Sequence, residues 1–391
     1  MGRLKKILIG ILILLVLALI AFFAIAPAII ENRQNGMVEH EPYPVSDIAK
    51  SLHESLLIGD WHTDSLLWKR DLTKRWDRGH SDIPRMIEGN IGLQVFTAVT
   101  KSPAGLNYEH NSADARDNIT LLSFAQLWPP RTWQSILQRA LYLAEKLHRF
   151  EQKAPDKLKI IKSTKDLEEV LDLRANGKKI VGGLLGIEGA HPLEGNIQNL
   201  DVLTNAGYRL IALQHFFDNK LGGSLHGEEN EGLTEFGRAV VEEVASRQLV
   251  LDVAHSSEQV VSDVLEITDI PIVLSHTGIR SHCDSKRNIP DVLMKQIAAQ
   301  GGIIGIGYWA DVTCDDSPSG IAGAIKAAID VVGEDHVSLG SDYDGAVTVA
   351  FDVSELAALT QALLDAGLSE TQIRKVMGEN MIRLLRQRLE N

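Results

Sequence analysis

The stretch "LLIGDWHTD", residues 56–64, ends an apolar run on His62 and Asp64, two positions apart. Side chains two apart on a strand share a face. Two polar groups aimed at one place cost desolvation energy unless a common partner receives them, and a metal ion is such a partner. Similar endings recur down the chain: "GIEGAH" carries Glu188 and His191, "LQH" carries His215, "LDVAH" carries His255, "LSH" carries His276, and "LGSDYDG" carries Asp342. Histidine, aspartate and glutamate form the ligand set of zinc or a similar divalent ion, and two ions about 3.5–4 Å apart need a bridging group. Glu188 is the expected bridge, with His62 and Asp64 on one ion and His255 and His276 on the other. A water shared by such a pair is acidified toward neutrality, which makes a hydroxide nucleophile for an amide carbonyl.

Each residue has a plainer reading. A single strand-end histidine is more often a hydrogen-bonded structural group, and a lone aspartate a helix cap. Recurrence at successive strand ends carries the metal reading, because burying the set without a partner would be prohibitive. His191 is expected to order the loop after Glu188. His80, His226 and His282 lie in polar loop sequence and are expected to be solvated. Asp60 is either a partner that orients a histidine or a turn residue. The pairs Gly182-Gly183 and Gly301-Gly302 lack the context of a phosphate loop.

The elements that must position these groups are eight short apolar runs, at 56–60, 92–99, 180–187, 208–214, 249–254, 271–275, 302–308 and 337–340. Helix-like segments alternate with them, at 164–176, 196–205, 234–247, 257–266, 291–300 and 320–332, most with apolar residues three and four apart. Eight βα repeats predict a closed (β/α)8 TIM barrel, whose strand ends converge on one mouth. Two additions break the pattern. An insert at about 101–163, with a helix-like stretch at 136–150, either covers one end of the barrel or elaborates a loop away from it. A pair of helices closes the chain at 354–389.

The chain has 391 residues and a formal net charge of -13, so it offers no basic face for nucleic acid. Two cysteines, Cys283 and Cys314, give no disulfide framework and leave one bridge open. Arg3, Lys5 and Lys6 precede an unbroken apolar run at 7–30, about 36 Å long as a helix, enough to cross a bilayer. A signal peptide cleaved near Ala24-Ile25-Ala26 is the competing reading, against which stand the length of the run and Pro27. The expected organisation is a basic start and membrane anchor at 1–30, a polar tether at 31–44 and a catalytic barrel at 45–391. With the basic residues inside, the barrel lies on the periplasmic or extracellular side.

At these residues the sequence resembles the membrane dipeptidase, or renal dipeptidase, family of zinc peptidases with amidohydrolase-like barrels. The matching pieces are "WHTD", "GIEGAH", "LQH", "DVAHSS", "LSHTGIRSHCDSKRNIPD" and "GSDYDG", in the family's order across most of the chain after 56. The resemblance implies two zinc ions, with other divalent metals accepted by the same ligands. It implies that His62 and Asp64 ligate the first, Glu188 bridges, and His255 and His276 ligate the second. It further implies that His215 contacts the scissile group or its oxyanion, Arg287 binds the substrate's terminal carboxylate, and Asp342 handles protons. From the residues alone Arg287 reads as a surface ion pair. The implied activity is dipeptide hydrolysis, with tolerance of a D-residue at the C-terminal position and opening of β-lactams; homodimers are a family expectation. Alternatives are an amidohydrolase acting on N-acyl amino acids and an inactive binding protein on the same scaffold. Trp61 and Thr63 stand where the family commonly has glycine and asparagine, a departure expected to reshape the pocket.

Overall fold

The computed structural model describes residues 2–390. Eight parallel strands close into a barrel: β1 (Ile58–Thr63), β2 (Ile91–Val99), β3 (Val181–Glu188), β4 (Tyr208–Ala212), β5 (Val250–Asp252), β6 (Val273–Thr277), β7 (Ile303–Ile306) and β8 (Val337–Leu339). Each pairs with the next, and β8 returns to β1 through Leu339 opposite Asp60. The eight runs legible in the sequence are these eight strands, with ends shifted by up to three residues. A ninth strand, Leu158–Ile160, pairs with the first residues of β3.

Helices form where the apolar period changes from two to about four, and most start at an oxygen-bearing cap. Ser163, Thr234, Ser257 and Ser317 each accept a bond from a backbone N–H of the first turn, which satisfies one of the donors a helix start leaves free. Leu93, Val95, Leu184, Leu210, Val250, Val273 and Ile303 form one apolar cluster with Met381, Leu384 and Leu385. The last three lie on the C-terminal helix Asn380–Arg388, which therefore caps the end of the barrel away from the strand C-termini. Glycine permits one close approach here: a Cβ on Gly340 would sit 1.8 Å from the carbonyl oxygen of Ser275.

The insert folds into helices Asn118–Ala125 and Ile136–Lys153 and the edge strand. The N-terminal helix, Arg3–Gln34, is long and apolar enough to cross a membrane. The segment expected to be a free tether is instead packed at its start. Glu31 and Asn35 are buried, Glu31 pairs with Arg70 and Arg78, and Gly36–Met37 runs parallel to Thr348–Val349. Polar side chains with opposite-charge partners can be buried, and the sequence of that stretch did not display those partners. Cys283 and Cys314 are bridged, tying the loop after β6 to the one after β7.

Candidate metal centre

The C-terminal ends of the strands supply the whole cluster. His62 is the last residue but one of β1, which Asp64 follows directly; β3 ends on Glu188; His276 lies in β6; His215, His255 and Asp342 each lie three residues beyond β4, β5 and β8. His255 and Asp342 adopt left-handed backbone, with φ of 62° and 59°. Such conformations cost energy outside glycine and are kept where the surroundings fix them, as at sites that need a side chain aimed sharply off a strand end.

Glu188 is the centre of the arrangement. Its Oε1 lies 3.1 Å from His255 Nε2, 3.4 Å from His276 Nε2 and 3.5 Å from His62 Nε2. Its Oε2 lies 3.5 Å from His215 Nε2. His62 Nε2 is 3.6 Å from Asp64 Oδ1 and 3.7 Å from Asp342 Oδ1, and the Nε2 atoms of His255 and His276 are 3.0 Å apart. Two atoms on one tetrahedral zinc, each about 2.0–2.1 Å from it, stand about 3.3 Å apart. The side chains are thus gathered at the spacing of atoms sharing a cation. Both ring nitrogens of His62, Nδ1 of His255 and Oε2 of Glu188 are buried without a hydrogen-bond partner among the described residues. Buried orphans of this kind are costly unless something not made of protein receives them, so the donor set fits a metal.

The electrostatics agree. Burial and the Asp64 charge push the Glu188 carboxyl well above its usual range, and burial pushes Asp342 up to about 8. Burial and Arg287 push His255 and His276 far down, so both rings are neutral and free to ligate. His62 differs: burial alone would lower it, but Glu188, Asp64 and Asp342 raise it to about 10. A cluster in which the most buried carboxylates repel one another is stabilised by a bound cation.

Around this floor is a cavity of about 110 Å³, lined also by Tyr108, Ile119, Phe216, Arg287, Trp309 and Val347. Larger concavities lie elsewhere on the surface, but this one gathers the carboxylates and imidazoles. Arg287 is buried, not a surface ion pair; its Nη2 donates to the carbonyl of His276 at 2.7 Å, and its Nη1 has no partner among the described residues. His215 Nδ1 faces the carbonyl of Lys101 at 3.3 Å, which leaves Nε2 toward the cavity.

Several expectations are corrected. His80 and His226 are fully buried: His80 Nδ1 accepts from the backbone N–H of Asp344, and His226 Nδ1 lies 3.0 Å from the carbonyl of Tyr108 while its ring stacks on Phe216. The insert covers His226, and that cover is tertiary, invisible in local sequence. Asp60 orients no histidine ring; it accepts from the backbone N–H groups of His62 and Ser341 and so staples β1 to the chain after β8. Trp61 and Thr63 do not line the cavity. Trp61 packs in the apolar cluster with Leu93 and Met381, and Thr63 donates to the carbonyl of Tyr343. His282 is exposed, as expected.

Sequence reasoning missed the residues that hold the cluster in place. Thr97 Oγ1 donates to Asp64 Oδ1 at 2.5 Å, and Ser275 Oγ lies 2.8 Å from His276 Nδ1. Asp252 Oδ1 accepts from the N–H groups of Ala254 and Ser275, bracing β5 against β6. Ser275 and Asp252 stand beside or just before the histidines they support, which was the one available signal. Tyr108, whose hydroxyl accepts from Trp309 Nε1 at 3.0 Å across the mouth, carried none.

A parallel (β/α)8 barrel with carboxylates and imidazoles at its strand ends defines a metal-dependent hydrolase. Comparison with known proteins narrows this. The profile of the membrane dipeptidase family, peptidase family M19, matches residues 46–391, and the chain belongs to that family of metallo-dipeptidases. It is similar to dipeptidase aclJ of Aspergillus oryzae, 28% identical over 88% of this chain and 83% of that protein. Dipeptidase tcpJ of Claviceps purpurea is 28% identical over 79% of this chain and 69% of that protein. Among solved structures, dipeptidase AC, a metallopeptidase of family M19, superposes with a TM-score of 0.72 at 26% identity, covering 86% of this chain and all of that one. A metallopeptidase from Rhodobacter sphaeroides, liganded with a phosphinate mimic of L-Ala-D-Ala, superposes at 0.68 and 26% identity over 85% of this chain and 99% of that one.

Proposed function

We propose that this chain is a membrane-anchored dipeptidase whose strand-end residues hold two zinc ions. The observation that carries the reading is Glu188, a buried carboxylate within 3.1–3.5 Å of four imidazoles. His62 and Asp64 would hold one ion and His255 and His276 the other, with Glu188 as the carboxylate shared between the two sets. When bound, such a pair supplies an acidified water and an electrophile for the scissile carbonyl. The free Nη1 of Arg287 receives the carboxylate every dipeptide carries, since a guanidinium offers it a planar fork. His215, whose Nδ1–H is taken by the Lys101 carbonyl, turns Nε2 into the same cavity, where it meets the scissile group. Asp342, beside His62, passes a proton to the leaving amine. The phosphinate mimic of L-Ala-D-Ala bound by the Rhodobacter relative supports a dipeptide with a D-residue at its C-terminal position as substrate.

The N-terminal segment 1–30 is the anchor, 31–44 joins it to the barrel, and 45–391 is catalytic. The bridge between Cys283 and Cys314 suits a barrel in an oxidising compartment outside the cytoplasm. The test is elemental analysis together with hydrolysis of a dipeptide panel and of N-acyl amino acids, with and without chelator. Two zinc per chain and chelator-sensitive cleavage of dipeptides are expected. Cleavage of N-acyl amino acids with dipeptides left intact would reassign the substrate.

A further inference from the structure

The end of the N-terminal helix is built into the catalytic domain. Pro27 lacks an N–H, so the carbonyl of Phe23, four residues earlier, loses its helical partner; Lys69, on the loop after β1, donates its Nζ there at 3.2 Å. One turn further on, Glu31 is buried between Arg70 and Arg78. On the other side of the contact, the ring of Phe124 meets Phe23 edge to face, with centroids 5.5 Å apart. These contacts fix the direction in which the helix leaves the domain.

That direction sets a depth. With Ile7 at one boundary, a hydrocarbon core about 30 Å thick ends within a turn of Phe23 and Pro27, which puts Phe23 at the lipid–water boundary, where the Lys69 ammonium on its carbonyl stays hydrated. Phe124 therefore lies at that boundary as well. It belongs to the insert helix Asn118–Ala125, where Leu121 lies three residues away on the same face. Leu121, Phe124 and nearby Leu127 are 51%, 48% and 56% exposed, a run of large apolar residues left open on a domain whose other apolar side chains are mostly buried. At the foot of the helix Trp76 shares a surface cavity with charged groups that include Arg75, Arg78 and Asp77, and Lys74 is exposed nearby in sequence; a tryptophan among basic residues is common where lipid meets water.

We propose that the catalytic domain rests on the bilayer, through Leu121, Phe124 and Leu127 lying in the leaflet from which the helix emerges. The occupant of this face is lipid, because the face is continuous with the membrane span and stands at its boundary. Ile119, on the same insert helix, lines the catalytic cavity together with Leu106 and Tyr108. The catalytic cavity thus lies within about one helix diameter, roughly 10 Å, of the lipid. This rests on the reading of the N-terminal helix as an uncleaved anchor.

The test uses the full chain in phosphatidylglycerol–phosphatidylcholine vesicles, with a single fluorophore on Leu121→Cys, Leu127→Cys, Val16→Cys or Val202→Cys; the native cysteines are bridged and do not react. Lipids carrying a quencher on the acyl chain are expected to remove most of the emission at 16, 121 and 127 and to leave 202 bright. Quenching at 16 with 121 and 127 as bright as 202 would overturn the surface and keep the anchor. No quenching at 16 would overturn both.

Discussion

Two aspartates in one short loop face opposite environments. Asp342 joins the carboxylates and imidazoles of the metal centre, where burial drives its carboxyl up to about 8. Asp344, two residues on and equally buried, is held below its usual range, because Arg70 and His80 outweigh its burial. Arg70 Nη2 donates to Asp344 Oδ2 at 2.5 Å, and its Nε meets Glu31. His80 and Ser81 complete the set, through a backbone N–H and a hydroxyl. Burial alone therefore does not mark a functional site. The foot of the N-terminal helix is a buried charge cluster in which protein groups meet protein groups, and it is structural. The candidate metal centre is a buried cluster whose groups repel or lack partners, the condition that a bound cation relieves.

The sharpest way to break this contrast is to remove one charge from each cluster. Arg70→Met strips Asp344 of its guanidinium and leaves Glu31 to Arg78 alone, and loss of one member of a buried pair costs about 3–5 kcal/mol. Thermal unfolding of the full chain in detergent should show a large drop in Tm. Glu188→Gln removes a charge from the other cluster and should do the reverse for the metal-free protein, leaving its Tm unchanged or higher because a repulsive carboxylate is gone. The metal-loaded enzyme should instead lose at least about 100-fold in kcat/KM, since even residues one shell out from a metal are worth 10–100-fold. A lower Tm for metal-free Glu188→Gln would mean that the centre is a satisfied structural network, and the contrast would fail.

The barrel was legible because parallel strands buried on both faces read as unbroken apolar runs, and each run in the sequence has its strand. The candidate cluster was legible because its groups recur just past the ends of those runs. The foot of the helix was not. Glu31 and Asn35 stand in a polar stretch that looks solvated, and their partners Arg70 and Ala346 lie 39 and 311 residues away. Nothing local distinguishes a buried ion pair from two exposed charges. The same holds for His226, whose cover comes from Tyr108 in an insert with no regular period. The two cysteines allowed a bridge without requiring one.

A third buried histidine separates burial from charge. His53 Nδ1 lies 2.9 Å from Thr360 Oγ1, and its burial outweighs the Gly89 carbonyl and the Glu54 carboxylate, which favour the charged ring. Burial lowers its pKa from 6.5 to about 4. The folded state thus binds this proton less readily than the unfolded chain. Its stabilising contribution is fully present above pH 6.5 and is lost as pH falls toward 4, a change of about 2–3 kcal/mol at most. Denaturant midpoints between pH 7 and 4.5 should fall less steeply in His53→Gln than in the parent. Equal slopes would show that the ring is solvated in the folded state.

The smallest effect tests whether the metal centre depends on supports made of protein. With Nε2 of His276 turned to the metal, its Nδ1–H donates to Ser275 Oγ at 2.8 Å, which fixes the tautomer and the ring. His62 and His255 have no such support at Nδ1 among the described residues, so His276 is the ring that Ser275→Ala should loosen. Zinc affinity, read against a competing chromophoric chelator, should fall about 10-fold, with the Tm of the metal-free protein little changed because the hydroxyl supports a ligand and not the barrel. Unchanged affinity would mean that Glu188 and the packing of β6 hold His276 without it. The line between the two clusters would then run through the ligands alone, with no contribution from the strand residues beside them.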